Sequence, residues 1–328
     1  MNIRFTCGAC SANAVAKPIF AQEKMFGLGD KFSYVECNVC GCLQLHIKNL
    51  DFSRYYPENY YSLTSGKLRS PLTRWLEKIR NRYAVQQVGF LGKILCNYKP
   101  HAPLQSLQGL KLKNSTTILD VGCGNGELLR SLQDIGFNSL YGVDPNIRSE
   151  IRLTSDSRIY KNELHNLEGS YDLIMFHHSL EHIPDQIGAL RAVERLLAPN
   201  GRCLIRIPVM NKMAWKIYGL NWVQLDAPRH LFLHTELSLN RLAERSGFKV
   251  VSTTFDSNEL QFWGSECLRV GVSLFDPITG LPNPEAKKIY KTNRRYWKKK
   301  ARELNALGDG DQACFLLQRS SEYVDQTT

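Results

Sequence analysis

The chain has 328 residues, 43% of them apolar, enough for one large domain with one or two small modules and a substantial core. It has no run of 18 apolar residues and no amino-terminal pattern of charged start, apolar run and small-residue cleavage site, so a cytoplasmic protein without a membrane span is expected. The formal charge of +11 suggests a nucleic-acid binder until it is located: residues 287–302, KKIYKTNRRYWKKKAR, hold nine basic and no acidic residues, leaving 33 basic against 31 acidic elsewhere.

The charge is therefore one patch, and a nucleic-acid partner is not favoured. With Ile289, Tyr290, Tyr296 and Trp297 interleaved, the patch suits a solvated helix face, an anionic substrate or a peripheral membrane contact. Ten cysteines in a chain of this type read as reduced thiols, some of them committed to a metal.

In chain order, the first pattern is Cys7-Gly-Ala-Cys10, then 26 residues, then Cys37-Asn-Val-Cys40. Two CxxC knuckles at this separation offer four thiolates to tetrahedral structural Zn2+, which predicts a zinc ribbon over residues 1–50. Its segments are short and turn-rich, so folding should depend on the metal. A redox pair and incidental buried cysteines are the competing readings, and Cys42 is a spare ligand. Residues 51–111 read as a helical, aromatic linker, with the tyrosine-rich run at 51–61 and an apolar face of Trp75, Leu76, Ile79, Tyr83 and Val88. Pro100 and Pro103 end that pattern.

Residues Thr116–Arg130, TTILDVGCGNGELLR, organise the rest. Ile118, Leu119 and Val121 predict a buried parallel strand, the glycines a turn, and Glu127, Leu128, Leu129 and Leu132 a helix start. Without side chains at Gly122, Gly124 and Gly126, a nucleotide can rest against backbone N–H groups and the helix N-terminus. The next strand ends at Asp144, 24 residues after Asp120, where a carboxylate can accept from both hydroxyls of a ribose. Both features suit NAD or S-adenosylmethionine equally. Further strands are expected at about 157–160, 172–176, 202–207, 249–254 and 312–318, alternating with helices. The interval 256–311 is too long for a turn and is expected to be an inserted helical region.

Asp120 before Gly122, the stretch YDLIMFHHSLEHIPD at 171–185 and the LLAPNG turn at 196–201 together resemble a class I S-adenosylmethionine-dependent methyltransferase. The CxxC pairs, the tyrosine-rich linker and NWVQLDAPRHLFLHT at 221–235 resemble, within that family, a bacterial subfamily with a zinc ribbon associated with surface polysaccharide and sugar modification. The resemblance implies an α/β, Rossmann-like, doubly wound seven-stranded sheet over 112–328 whose last strand is antiparallel. It implies a cofactor site formed by Asp120, Gly122, Cys123, Gly124, Gly126, Asp144, Pro145, Glu163, Phe176, His177 and His178.

Acceptor chemistry is expected from the segments that follow the fourth and fifth strands. His230, Asp226 and His182 are the candidate proton acceptors, and Arg229, Trp222 and Glu181 the candidate substrate contacts. A metal site among the histidines and Glu181 is not expected, because Glu181 and His182 are adjacent and point apart on a helix. The resulting reading is methyl transfer to a small molecule, a nucleotide-linked or glycan-precursor sugar. RNA methylation, methylation of a quinone or lipid head group, and a non-catalytic cofactor-binding scaffold are the alternatives.

Overall fold

The computed structural model describes residues 2–47, 50–56 and 70–320, so Tyr60 and Tyr61 lie outside the described residues. The chain divides into two compact units that are discontinuous in sequence: residues 62–179 with 192–206, and residues 1–61 with 180–191 and 207–328. This differs from three consecutive stretches of ribbon, linker and catalytic domain.

In the first unit the strands are β1 (Ile118–Val121), β2 (Leu140–Val143), β3 (Ile151–Arg152), β4 (Arg158–Tyr160), β5 (Tyr171–His177) and β6 (Leu197–Pro208). They lie in the order β6-β5-β1-β2-β4-β3. All neighbouring pairs are parallel except β3 with β4. All four residues of β1 are buried, which explains a strand with no alternation of apolar and polar positions. Asp120 sits opposite Met175 on one side and Gly142 on the other, in the middle of the sheet.

Helix Pro71–Gln86 starts where Ser70 accepts from the Thr73 N–H and Pro71 takes the first turn. Its buried positions are Arg80, Asn81, Ala84 and Val85, whereas Trp75 and Val88 are exposed. The expected apolar face is therefore corrected. The helix ends before Val88, and its inward face accommodates a polar pair because Asn81 Oδ1 accepts from Arg80 Nε and Nη2 at 3.0 and 2.8 Å.

In the second unit, hairpin Ile3–Thr6 with Asn13–Ala16 carries the first knuckle. A four-stranded antiparallel sheet follows in the order Phe232–Leu233, Leu43–Leu45, Lys31–Glu36, Ile19–Gln22. The LFL of the DAPRHLFL run thus adds a strand to the ribbon, with Phe232 opposite Gln44 and Leu233 opposite Leu43. Ala21, Phe32, Tyr34 and Leu43 share one buried core with Trp222, Leu225, Ala227, Phe262, Trp297 and Leu304. The ribbon consequently buries its apolar side chains against segments more than 160 residues away in sequence rather than depending on metal alone.

Strands β7 (Phe248–Phe255) and β8 (Gln312–Arg319) pair antiparallel, as expected for the last strand. Between them lie helices Leu260–Arg269, Pro284–Thr292 and Arg294–Ala306. Among the described residues β1 to β8 are eight strands rather than the seven expected, the addition being the two-residue antiparallel β3.

Candidate functional site

The glycine turn after β1 is built by backbone conformation. Gly122 and Gly126 have φ of +72° and +76°, a region that L side chains rarely adopt. A Cβ on Gly122 would stand 2.5 Å from Ser179 Cβ, and one on Gly126 would overlap Ile159 Cδ1. Each glycine is also a packing requirement of the cradle, because Ser179 Oγ donates to the Val121 carbonyl at 2.6 Å and braces the turn. Ser179 was not among the expected site residues; a small residue just after the HH pair is the only trace that it left in the sequence.

At the end of β2, Asp144 Oδ2 accepts from the Gly124 N–H at 2.9 Å and Oδ1 from the Asn146 N–H at 2.8 Å. The carboxylate is thereby fixed beside the turn with lone pairs left on each oxygen, as a ribose diol requires. Asp120 is buried behind it, and burial together with the Asp144 carboxylate pushes its pKa up to about 8. Cys123 also lines the turn, its thiol pushed well up by burial and by both aspartates, so it stays neutral.

After β5 the chain turns sharply at His178, with φ +53°, and Phe176 is fully buried. Both ring nitrogens of His177 are buried and have no hydrogen-bond partner among the described residues. Burial, then the Arg206 charge, holds His177 well below its usual pKa, so the ring is neutral. Glu163 and Pro145, at the ends of β4 and β2, are exposed. All eleven expected cofactor residues fall in one unit: nine lie on the glycine turn or at or beyond the carboxyl ends of β2, β4 and β5, and Asp120 and Phe176 one position inside the ends of β1 and β5. That is where ligands of open α/β sheets bind.

The second constellation belongs to the other unit and corrects several expectations. Arg229 is buried, with its guanidinium divided among Asp226, Glu23 and a main-chain carbonyl. Nη2 donates to Asp226 Oδ1 at 2.6 Å and Glu23 Oε1 at 2.7 Å, Nε to both oxygens of Asp226 at 3.0 and 3.1 Å, and Nη1 to the Tyr55 carbonyl at 3.1 Å. A guanidinium committed in this way is not a grip for an anionic substrate. Burial alone would raise the Asp226 pKa, but the Arg229 charge and hydrogen bonds hold it below the usual carboxylate range, so Asp226 is a poor proton acceptor. Trp222 is also structural: it is 1% exposed, and its Nε1–H donates to Asp311 Oδ2 at 2.9 Å inside the core. Glu23, the missing partner, left no signal, because a carboxylate in a ribbon turn reads as solvated.

His182, His230 and Glu181 do come together. His182 Nδ1 stands 2.8 Å from the Arg229 carbonyl and 3.3 Å from the Tyr56 hydroxyl, and His230 Nδ1 stands 2.7 Å from the Gln224 carbonyl. The two rings meet edge to face with centroids 4.8 Å apart. Tyr34 Oη, fully buried, donates to the His230 carbonyl at 2.8 Å and fixes that residue from the other side. Burial, then the proximity of His230, lowers the His182 pKa. Tyr34 and Tyr56 were not among the expected site residues.

At the knuckles, Cys7 Sγ lies 3.6 Å from Cys40 Sγ and Cys10 Sγ 3.7 Å from Cys37 Sγ, and none of the four is in a disulfide. A tetrahedron with 2.3 Å zinc–sulfur arms has edges of about 3.8 Å, so the thiols are already spaced for the ion. Hydrogen bonds from Cys40 and then Cys42 hold Cys7 far below the usual thiol range, while Cys40 is pushed up. A negative charge is thus favoured within the cluster. Cys42 is fully buried, and its thiol is pushed well up. Arg245 Nη1 donates to the Gly8 and Ala9 carbonyls at 3.0 and 2.8 Å, and Thr235 Oγ1 donates to that of Cys40 at 2.6 Å, so both knuckles are held from outside.

Residues 97–253 match a family model described as a methyltransferase domain. Similar proteins include a ubiquinone biosynthesis O-methyltransferase of Xanthomonas oryzae pv. oryzae, 27% identical over 156 residues, which are 40% of this chain and 63% of that protein. One of the same description from Sodalis glossinidius is 30% identical over 138 residues, 38% of this chain and 54% of that protein. The chain thus spans somewhat over half the length of these curated relatives. Among solved structures, the O-methyltransferase from a trans-AT PKS multienzyme of Brevibacillus brevis in complex with S-adenosyl-L-homocysteine superposes with a TM-score of 0.44 at 13% identity, covering 74% of this chain and 80% of that one. No helix among the described residues is long and apolar enough to cross a membrane.

Proposed function

We propose that this protein is an S-adenosylmethionine-dependent methyltransferase acting on a small-molecule acceptor. The observation that carries the reading is the pairing of a glycine turn, closed to any Cβ at Gly122 and Gly126, with Asp144 fixed beside it, inside the span that matches a methyltransferase domain. Asp144 holds the ribose hydroxyls, the glycine turn leaves room for the methionine portion, and buried Asp120 gains its negative charge when a cationic group arrives. The orphaned nitrogens of His177 supply a further polar contact to the ligand. When bound, S-adenosylmethionine supplies a methyl group on a sulfonium, a good leaving group.

The chain's part is then positioning and acceptor activation. The chain would hold the acceptor's nucleophilic atom in line with the methyl group that the bound cofactor would supply. Asp226, which Arg229 holds ionised, is not the base that activates the acceptor. The four thiolates of Cys7, Cys10, Cys37 and Cys40 bind a structural zinc ion.

For the acceptor we favour a sugar, nucleotide-linked or part of a glycan precursor, on the resemblance of the CxxC pairs and the DAPRHL segment. With Arg229 withdrawn as an anion contact, recognition of a diphosphate rests on the basic segment 287–302 alone. A quinone is the second reading, favoured by the names of the relatives from Xanthomonas and Sodalis. A labelled-methyl assay over nucleotide sugars, quinone precursors and RNA separates them. Label in the nucleotide-sugar fraction supports the first reading, label in the quinone fraction replaces it with the second, and salt-sensitive labelling of RNA would overturn both.

A further inference from the structure

The cluster of Glu181, His182 and His230 has the design of a second metal site. The Arg229 and Gln224 carbonyls can only accept, so the Nδ1 atoms 2.8 and 2.7 Å from them carry the protons of both imidazoles. In the neutral ring each Nε2 is then a lone-pair donor, and each ring is fixed from behind by a main-chain carbonyl, the arrangement common to metal-binding histidines. His230 Nε2 stands 3.9 Å from Glu181 Oε1 and 4.0 Å from Asp226 Oδ2. One ligand-capable atom from each of Glu181, His182 and His230 lies within 4.8 Å of the others. Asp226 does not join them as a ligand, because Arg229 neutralises it.

We propose that Glu181, His182 and His230 bind one divalent first-row cation, separate from the zinc of the four cysteines. Two imidazoles and a carboxylate suit Mn2+, Fe2+ or Zn2+, whereas the thiolate cluster selects softer ions. Adjacent ligands with bonds of about 2.1 Å stand about 3 Å apart, so the ion draws the three side chains inward by an ångström or more. Three protein ligands leave coordination positions open.

The test is titration of the full-length, zinc-loaded protein with Mn2+, following the free-ion electron paramagnetic resonance signal. The expected result is one Mn2+ bound per chain, with affinity falling at least tenfold in Glu181→Gln and in His230→Gln while zinc content stays unchanged. In the wild-type complex, electron spin-echo modulation should show directly coordinated imidazole nitrogen, a readout that needs no variant to fold. Absence of Mn2+ binding, absence of nitrogen coupling, or binding unchanged in both variants would overturn the proposal. S-adenosylhomocysteine binding, measured separately in metal-free buffer, reports on the methyltransferase reading, so either can fail alone.

Discussion

Arg229 Nη2 donates to Glu23 Oε1 at 2.7 Å, joining two side chains that are fully buried and 206 positions apart in sequence. The same guanidinium neutralises Asp226, and its residue's carbonyl accepts from His182. One arginine therefore ties the ribbon to the segment that carries the histidines. Burial opposes its charge, but Asp226 and Glu23 together raise its pKa above the ordinary value.

Arg229→Ala leaves two buried carboxylates without their cation, and the expected loss of stability is about 3–5 kcal/mol. Urea unfolding measures it. If Arg229 instead gripped an anionic substrate, stability would stay within about 1 kcal/mol of wild type and the loss would appear in KM.

Asp120 gives a pH signature. Its folded-state pKa of about 8 lies above the ordinary aspartate value of 3.8, so the stability it contributes is full below the lower value and is lost as pH rises through the higher. Asp120→Asn removes this loss. Relative to wild type, the variant's melting temperature should rise between about pH 5 and pH 9, and parallel curves for the two proteins would contradict the assignment. A cationic ligand that lowers the Asp120 pKa must also expel a proton on binding, which calorimetry in two buffers of different ionisation enthalpy detects.

The thiolate cluster predicts a metal-dependent fold for one part of the chain. Removal of zinc by a strong chelator, or Cys37→Ser, should lower the melting temperature by at least about 5 °C. Because Phe32, Tyr34 and Leu43 pack in the same core as Trp222 and Phe262, the loss should be partial rather than complete. An unchanged melting temperature in zinc-free protein would remove the ion from the account.

How far these features were legible in the sequence depended on how local they are. The run from Thr117 to Leu132 fixes strand, turn and helix within 16 residues, so β1, its glycines and the following helix Glu127–Asp134 could be read directly. The CxxC pairs were equally plain, since thiol spacing is encoded within each knuckle. Arg229 and Trp222 were misread because charge and aromaticity near a cleft look the same whether a side chain faces a substrate or the core. Their partners, Glu23 and Asp311, are 206 and 89 residues away. Glu181 and His182 do not read as a metal pair in sequence, because neighbours on a helix diverge. The segment is instead the 3-10 turn Leu180–His182, and the third member, His230, arrives from beyond β6. No window of sequence contains that triangle.

The most direct measurement is isothermal titration of the purified protein with S-adenosylhomocysteine, alongside Asp144→Ala. The account predicts one molecule bound per chain and at least tenfold weaker binding in the variant, since the carboxylate that would accept both ribose hydroxyls is gone. No binding to the folded wild-type protein, or equal affinity in the variant, would contradict the assignment of this turn as the cradle of a methyl donor.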